Sequence, residues 1–354
     1  MTKALANQVL TPQFRAELAR LIGPHNRKAH DRRGGVKRDC SSATRDDRES
    51  ILLLVFAELW KLGYKLKSPT GLREKHLHAL ATHWHSKNLA ASTLHKRFCT
   101  LRVFAGWVGK RGLVGDIETY FEDPAALKRS IVTTKSRAWE DAGVDVAAMI
   151  QQATTIDERF GLYLSLQHHF GLRVKESIQL RPLHSAFDEG VLEVYEGTKG
   201  GRPRLVPIET PAQQEVATWA RKVAAKSRTG RIRWPGHTWI RAHDRFYNLM
   251  KKIKATKAQL GITAHGLRHG DAQRAYAKTS GCPSPVHGGA PGKLDWATHH
   301  YAAIKVSCRL GHNRADVLGY YVGSPGHSLR TTVLPSRIGP LGVAGVSPTQ
   351  TVGV

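Results

Sequence analysis

Apolar residues recur at helical spacing along most of the chain. Leu52, Val55, Phe56, Leu59 and Leu62 fall at i, i+3, i+4, i+7 and i+10, and Gly63 is placed to end that helix. Leu77, Leu80, Ala81 and Trp84 predict a second amphipathic helix. A third, capped by Ser92 or Thr93, turns Leu94, Phe98, Leu101, Ala105 and Val108 inward. Upstream, a short helix is expected over Thr11 to Ile22. Residues 113–140 hold few apolar repeats, with Asp116, Glu118, Glu122, Asp123 and Pro124 among them, and read as a linker. Helical spacing returns near Val144 with Val146, Met149 and Ile150, and runs through Phe160, Leu162, Leu164 and Phe170. Two short alternating segments, 191–195 and 205–208, flank Gly197-Thr198-Lys199-Gly200-Gly201-Arg202, the pattern of a hairpin. Helices are then expected over 211–227, 239–258 and 264–279. Residues 280–295 have loop composition, and those after Ser324 are rich in Gly, Pro, Val and Thr without a period.

These patterns predict a mainly α protein with a small antiparallel β-sheet. The expected organisation is a basic arm at 1–45, a helical domain at 46–115, a linker at 116–140, an α+β domain at 141–324 and a flexible tail at 325–354. Hydrophobic residues make up 41% of the 354, enough for two buried cores.

Charge changes the picture more than composition does. Lys and Arg number 54 against 28 Asp and Glu, a net charge of +26. That imbalance points to a polyanionic partner, with nucleic acid ahead of an acidic membrane surface or an acidic protein. The arm concentrates it in Arg27, Lys28, Arg32, Arg33, Lys37 and Arg38. The third helix carries His95, Lys96, Arg97 and Arg102 on its outer face, and Lys96, Arg97 and Arg102, with Arg202 at the hairpin, are the candidate DNA contacts. Four cysteines in a chain of this length make no disulfide framework. The longest apolar run, Ile51 to Ala57, is too short to cross a bilayer, so a reducing, cytoplasmic location is expected. Cys282, His287, His299, His300 and Cys308 match no paired zinc-ligand spacing.

Candidate chemistry gathers between His265 and Tyr321. His265 and Arg268, three apart, share a helix face. Leu310-Gly311-His312 and the pair Tyr320-Tyr321 follow. Without a carboxylate cluster, guanidinium groups, imidazoles and a phenol suit attack on a phosphodiester. Upstream, Gly171-Leu172-Arg173-Val174-Lys175-Glu176 puts an arginine at a helix start.

In chain order, Gly-Leu-Arg-x-x-Glu at 171–176, a hairpin lysine, His-x-Leu-Arg-His at 265–269, Leu-Gly-His at 310–312 and a tyrosine nine residues later resemble the tyrosine recombinases, the phage-integrase family. The match covers about 140–325, and the helical region 46–112 resembles that family's core-binding domain less specifically. The interval from Arg268 to His312 is longer than the family usually has, by the Gly/Pro-rich loop at 280–295.

The resemblance implies a site-specific recombinase or integrase that works without metal, cofactor or ATP through a 3′-phosphotyrosine. It assigns Arg173 and Arg268 to the nonbridging phosphate oxygens and His265 to acid/base catalysis. Lys199 would be the acid for the leaving 5′ oxygen, His312 a phosphate donor and Tyr321 the nucleophile. Tyr320, eight residues after His312, is expected to pack inward beside Val317. Double-stranded DNA and further copies of the chain, as a tetramer on DNA, are the implied partners, in a bacterial, nucleoid-associated setting. A type IB-like topoisomerase, a relaxase using His299-His300 with a metal, and a non-catalytic DNA-binding protein are the alternatives.

Overall fold

A computed structural model describes residues 2–28, 39–129, 132–184, 190–198, 201–289, 294–312 and 314–326. The chain divides into two compact units, residues 1–130 and 131–354.

Among the described residues the first unit holds five α-helices: α1 (Thr2–Val9), α2 (Pro12–His25), α3 (Ser42–Lys61), α4 (Glu74–Ser86) and α5 (Ala91–Trp107). Thr11 caps α2 by accepting from Phe14 N, and Pro12 supplies a preformed first turn. The aromatic core links α2, α3 and α5: Phe14 meets Phe56 edge-on at 5.2 Å, and Phe56 meets Phe104 at 5.6 Å. Residues 2–25 therefore belong to this core, through Ala6, Leu10, Phe14, Leu18 and Ile22, and are not part of an arm. The expected arm shrinks to the segment around 26–41. Of that segment 29–38 lies outside the described residues, and Lys28 pairs with Asp39 at 2.7 Å.

Helix α3 ends at Lys61, with Gly63 in the left-handed region at φ +92° as its sequence position requires. The start of α5 differs from expectation. Its N-cap is Ala90, so Ser92 and Thr93 lie inside the helix. The linker expectation also needs correcting, since Val114, Ile117 and Leu127 are buried in this unit's core. They sit on short 3₁₀ turns or loops, whose spacing carries no helical period.

The second unit holds α6 (Val146–Ile156), α7 (Glu158–Phe170), α8 (Val174–Gln179), β1 (Val191–Val194), β2 (Arg204–Pro207), α9 (Pro211–Ala225), α10 (Trp239–Lys252), α11 (Ala264–Ser280), α12 (Trp296–Arg309) and α13 (Gly319–Val322). Helix α7 is buried along most of its length and packs against α6, α9 and α11. What reads as one helical region is split at Asp157, whose extended backbone ends α6 and whose side chain caps α7. Trp139, from the expected linker, is fully buried here and donates its indole N–H to Thr263 O at 2.7 Å.

The two strands pair antiparallel, Val191 opposite Pro207 and Val194 opposite Arg204. Alternation turns Arg204 and Val206 inward and leaves Leu205 and Pro207 exposed. Helix α10 stops at Lys252, short of the expected 258, because Lys254 takes a left-handed backbone at φ +60°. The loop after α11 is ordered through a 3₁₀ turn at Pro285–His287, while 290–293 and the tail from 327 lie outside the described residues. Among the described residues no helix is long and apolar enough to cross a membrane.

Candidate active site

Glu176 is the centre on which the site is assembled. It is fully buried, and three arginines converge on its carboxylate. Arg204 makes a bidentate pair with it at 2.7 and 2.8 Å, Arg173 Nη1 donates to Oε1 at 2.6 Å, and Arg268 Nη1 lies 3.9 Å from Oε2. Glu176 also accepts from Arg173 N at 2.7 Å, which closes the first turn of α8 as a capping box. Burial pushes this carboxyl up, but the hydrogen bonds from Arg204 and the charges of all three arginines outweigh it and hold it at about 2.

Gly171, left-handed at φ +59°, turns the chain from α7 into Arg173; an added Cβ there would stand 2.4 Å from Asp271 Oδ2. Arg268, on α11, is fully buried. Its Nη1 and Nη2 donate to the carbonyls of Gly171 and Leu310, at the ends of α7 and α12. Burial lowers its pKa to about 10, which leaves it charged at neutral pH. One guanidinium thus ties together the ends of α7 and α12, after which Arg173 and His312 follow.

His312 follows α12 after Gly311, whose left-handed backbone (φ +73°) lies against the Arg204 side chain. His312 Nε2 is 3.2 Å from Arg173 Nη2, 3.5 Å from Arg268 Nη2 and 3.3 Å from the Tyr321 hydroxyl. Guanidinium groups only donate, so this nitrogen acts as the acceptor and the ring proton belongs on Nδ1. The Tyr321 hydroxyl also accepts from Arg268 Nε at 3.2 Å. His265 is half-buried, its ring centroid 5.7 Å from that of Tyr321. Burial, reinforced by Arg268, Arg173 and Arg137, lowers it to about 4, so it is neutral at pH 7. His312, not His265, makes the direct contact with the phenol.

Arg173, His265, Arg268, His312 and Tyr321 are thus brought together from four parts of the chain. Lys199 lies outside the described residues, and Arg202 is exposed just beyond it. The tyrosine pair reverses the expected packing. Tyr321 is the buried member; Tyr320 is half-buried, its ring under Arg137 at 5.2 Å and its hydroxyl accepting from Arg137 Nη1 at 3.1 Å.

Two candidate DNA contacts also change role. Arg97 stacks over Trp84 at 4.9 Å and pairs with the buried Glu58 at 3.1 Å, and Arg102 donates to Val114 O and Gly115 O. Both are engaged inside the first unit: the buried Glu58 carboxylate needs its donor, and Arg102 holds the 114–115 loop against α5. Lys96 stays exposed in a surface pair with Asp47, an interaction weak enough to exchange. The sequence reading missed Arg204, although its alternation with Val206 marks it as inward-facing. It also missed the outer face of α10, where Arg241, Lys251 and Lys252 are exposed beside Ile240 and Tyr247. Among the described residues no group of three or more His, Cys, Asp or Glu could hold a metal ion. His299 instead shares a 2.7 Å hydrogen bond with the Tyr276 hydroxyl.

Residues 127–274 match the integrase family, and residues 30–114 match the phage integrase N-terminal family. The chain belongs to the phage integrase family, the tyrosine recombinases. Among curated tyrosine recombinases, XerC of Xanthomonas campestris pv. campestris is 26% identical over 198 residues, 55% of this chain and 58% of XerC. XerC of Xylella fastidiosa is 27% identical over 186 residues, 52% of this chain and 60% of its own length. The chain therefore aligns with somewhat over half the length of these recombinases. Two solved tyrosine recombinases share the fold. A λ integrase (75–356) dimer bound to a COC′ core site has a TM-score of 0.54 at 16% identity, covering 88% of this chain and 95% of that one. XerH bound to a palindromic difH substrate also has a TM-score of 0.54, at 15% identity, covering 82% and 79%.

Proposed function

We propose that this tyrosine recombinase cuts and rejoins DNA strands at specific sites through a 3′-phosphotyrosine. The observation that carries the reading is the meeting of Arg173, Arg268, His312 and the Tyr321 hydroxyl within 3.5 Å of their neighbours. A phosphate entering this cluster takes over guanidinium hydrogen bonds now spent on His312. Arg173 and Arg268 then neutralise the nonbridging oxygens as charge builds in the transition state. Tyr321 Oη forms a bond to phosphorus and the bond from phosphorus to the 5′ oxygen breaks. The phenolic proton passes to an imidazole, with His265 as the acid/base, and Lys199 supplies a proton to the leaving 5′ oxygen. With the phosphate in place, His312 carries its proton on Nε2 and donates to it. The phosphotyrosine keeps the energy of the broken linkage, so a second 5′-hydroxyl can reverse the step without ATP. The polarity of the covalent link tests the reading: a nicked DNA labelled on either side of the break should leave its 3′ side on the protein. Protein attached to the 5′ side would favour a relaxase-type strand transferase.

Double-stranded DNA is the partner that the charge of +26 favours, and the named relatives act as recombinases. Lys96, Arg202 and the basic outer face of α10 are the surface contacts proposed for it. Both units are expected to contribute. Residues 1–130 and 131–354, expressed separately, should each bind a duplex weakly, and the whole chain far more tightly through effective concentration. Cutting at 46 would remove Phe14 and its helix from the core, so the boundary at 130 is the one to use. Binding of the whole chain should fall steeply between 50 and 200 mM salt, on the order of 10³-fold for six phosphate contacts. Equal affinity and footprint for one unit alone would reject shared binding.

Recombination between two sites calls for more than one copy, and a tetramer on DNA is the proposed assembly. Trp296, Tyr301 and Ile304 leave an apolar face of α12 exposed, which favours contact with another protein surface. The tail is the proposed link between copies. Ending the chain at Ser324 should spare binding to a single site and reduce recombination between two, read by gel shift and by product formation. Full recombination by the shortened chain would remove the tail from the assembly. Cytoplasmic action on nucleoid DNA is the setting that accords with this chemistry.

A further inference from the structure

Tyr321 stands on α13, a helix of four residues, too short to hold its own geometry. Its backbone is held from outside at three points. Thr133 N donates to Gly319 O at 2.9 Å. The buried Gln273, on α11, donates from Nε2 to Tyr321 O at 3.1 Å. Gly323, at φ +82°, lies so close to the next layer that an added Cβ would stand 3.1 Å from Val286 N and 3.3 Å from Thr133 O.

Two of these points lead to the same turn, Pro285–His287, in the loop between α11 and α12. Gln273 Nε2 also donates to Ser136 Oγ at 3.0 Å, and Ser136 Oγ donates to Asp141 Oδ2. Asp141 Oδ2 in turn lies 2.8 Å from His287 Nε2. A carboxylate only accepts, so His287 carries its proton on Nε2. When the ring is neutral, Nδ1 accepts from the buried Ser284 hydroxyl at 3.1 Å. The chain of bonds thus runs unbroken from the loop to the peptide carbonyl of the tyrosine. It borders a cavity of about 510 Å³ lined also by Glu140, Arg274 and Cys282.

We infer that Gln273, Ser136, Asp141 and His287 are positioning residues, through which the 284–287 turn holds Tyr321 in register for attack. The loop is therefore a brace and not only a longer connection between two helices. The inference rests on the proposed role of Tyr321. Each link is short and directional, and each has one donor and one acceptor satisfied, so losing any link frees the carbonyl to move. An attacking oxygen tolerates little displacement, which is why a residue that never touches DNA can alter the rate.

The test uses the full-length protein in single-turnover adduct formation on a nicked suicide substrate at saturating DNA, with affinity measured separately. His287→Ala and Asp141→Asn should each slow adduct formation about tenfold and leave affinity unchanged. The double variant should be no slower than the worse single one, since both break the same chain. His287→Gln, which keeps an N–H donor at this exposed position, should recover most of the rate. Wild-type rates in both single variants, losses seen only in affinity, multiplying losses, or no recovery with glutamine would each overturn the brace. A wild-type protein that forms no adduct would overturn the proposed role of Tyr321 instead, and the brace with it.

Discussion

Tyr321→Phe should bind its DNA normally and form no covalent adduct on a nicked suicide substrate, with or without EDTA. Deleting a covalent nucleophile typically costs on the order of 10⁴-fold or more, which places the variant below detection. Tyr320→Phe should retain the adduct within a few-fold of wild type. The two phenols differ in what surrounds them, not in chemistry. The Tyr321 hydroxyl lies 3.2 Å from Arg268 Nε and 3.3 Å from His312 Nε2, where a phosphate would be held. The Tyr320 hydroxyl is 3.1 Å from Arg137 instead, on a different side of a short helix where one residue turns the side chain by about 100°. Phenylalanine at 320 loses one exposed hydrogen bond and keeps its ring under the Arg137 guanidinium. Adduct retained by the Tyr321 variant and lost by the Tyr320 variant would reverse the assignment.

Glu176→Gln should be the most damaging substitution for stability at neutral pH. The carboxylate is the shared counter-charge of Arg173, Arg204 and Arg268, and an amide of the same size leaves buried guanidinium charge uncompensated. Breaking a buried ion pair from one side costs about 3 kcal/mol or more, which lowers the melting temperature of a unit this size by about 6 to 12 °C. Acid should have the same effect on the wild type. The folded-state pKa of about 2 lies below the ordinary 4.5, so the stabilisation is complete above pH 4.5 and is lost as pH falls towards 2. That difference corresponds to about 3 kcal/mol. Thermal unfolding of both proteins between pH 7 and pH 2 provides the measurement. The wild-type and variant curves should converge through that window. Equal stability at pH 7, or parallel curves down to pH 2, would show that Glu176 does not hold the arginines in place.

Much of the site could be read from the sequence because each part announces itself locally. A histidine and an arginine three apart define a helix face, a glycine before Arg173 marks a turn, and Leu-Gly-His sets the start of a new segment. Helices α3 and α4 follow from apolar spacing alone, since burial on one face of a helix must repeat with its turn. The N-terminal helices were harder to read. Apolar spacing predicts the helix over 11–22, but that Ala6, Leu10, Phe14, Leu18 and Ile22 join a core supplied by α3 and α5 is settled only by packing. The same holds for Val114, Ile117 and Leu127, which lie on turns without a helical period.

The sequence by itself determined the family, the mainly helical composition and the order of six catalytic candidates, because spacing within a helix or turn is a local property. Tertiary structure alone decided which charges are spent on the protein itself. Arg97 is paired with Glu58, 39 residues away, and Arg204 with Glu176, 28 away, while Lys96 beside Arg97 stays at the surface. It also decided that Tyr321 and not Tyr320 faces Arg268, and that Gln273 holds its carbonyl. The physical reason is that ion pairs and hydrogen bonds act over a few ångströms in space and have no period along the chain. Their partners are settled only when the helices pack.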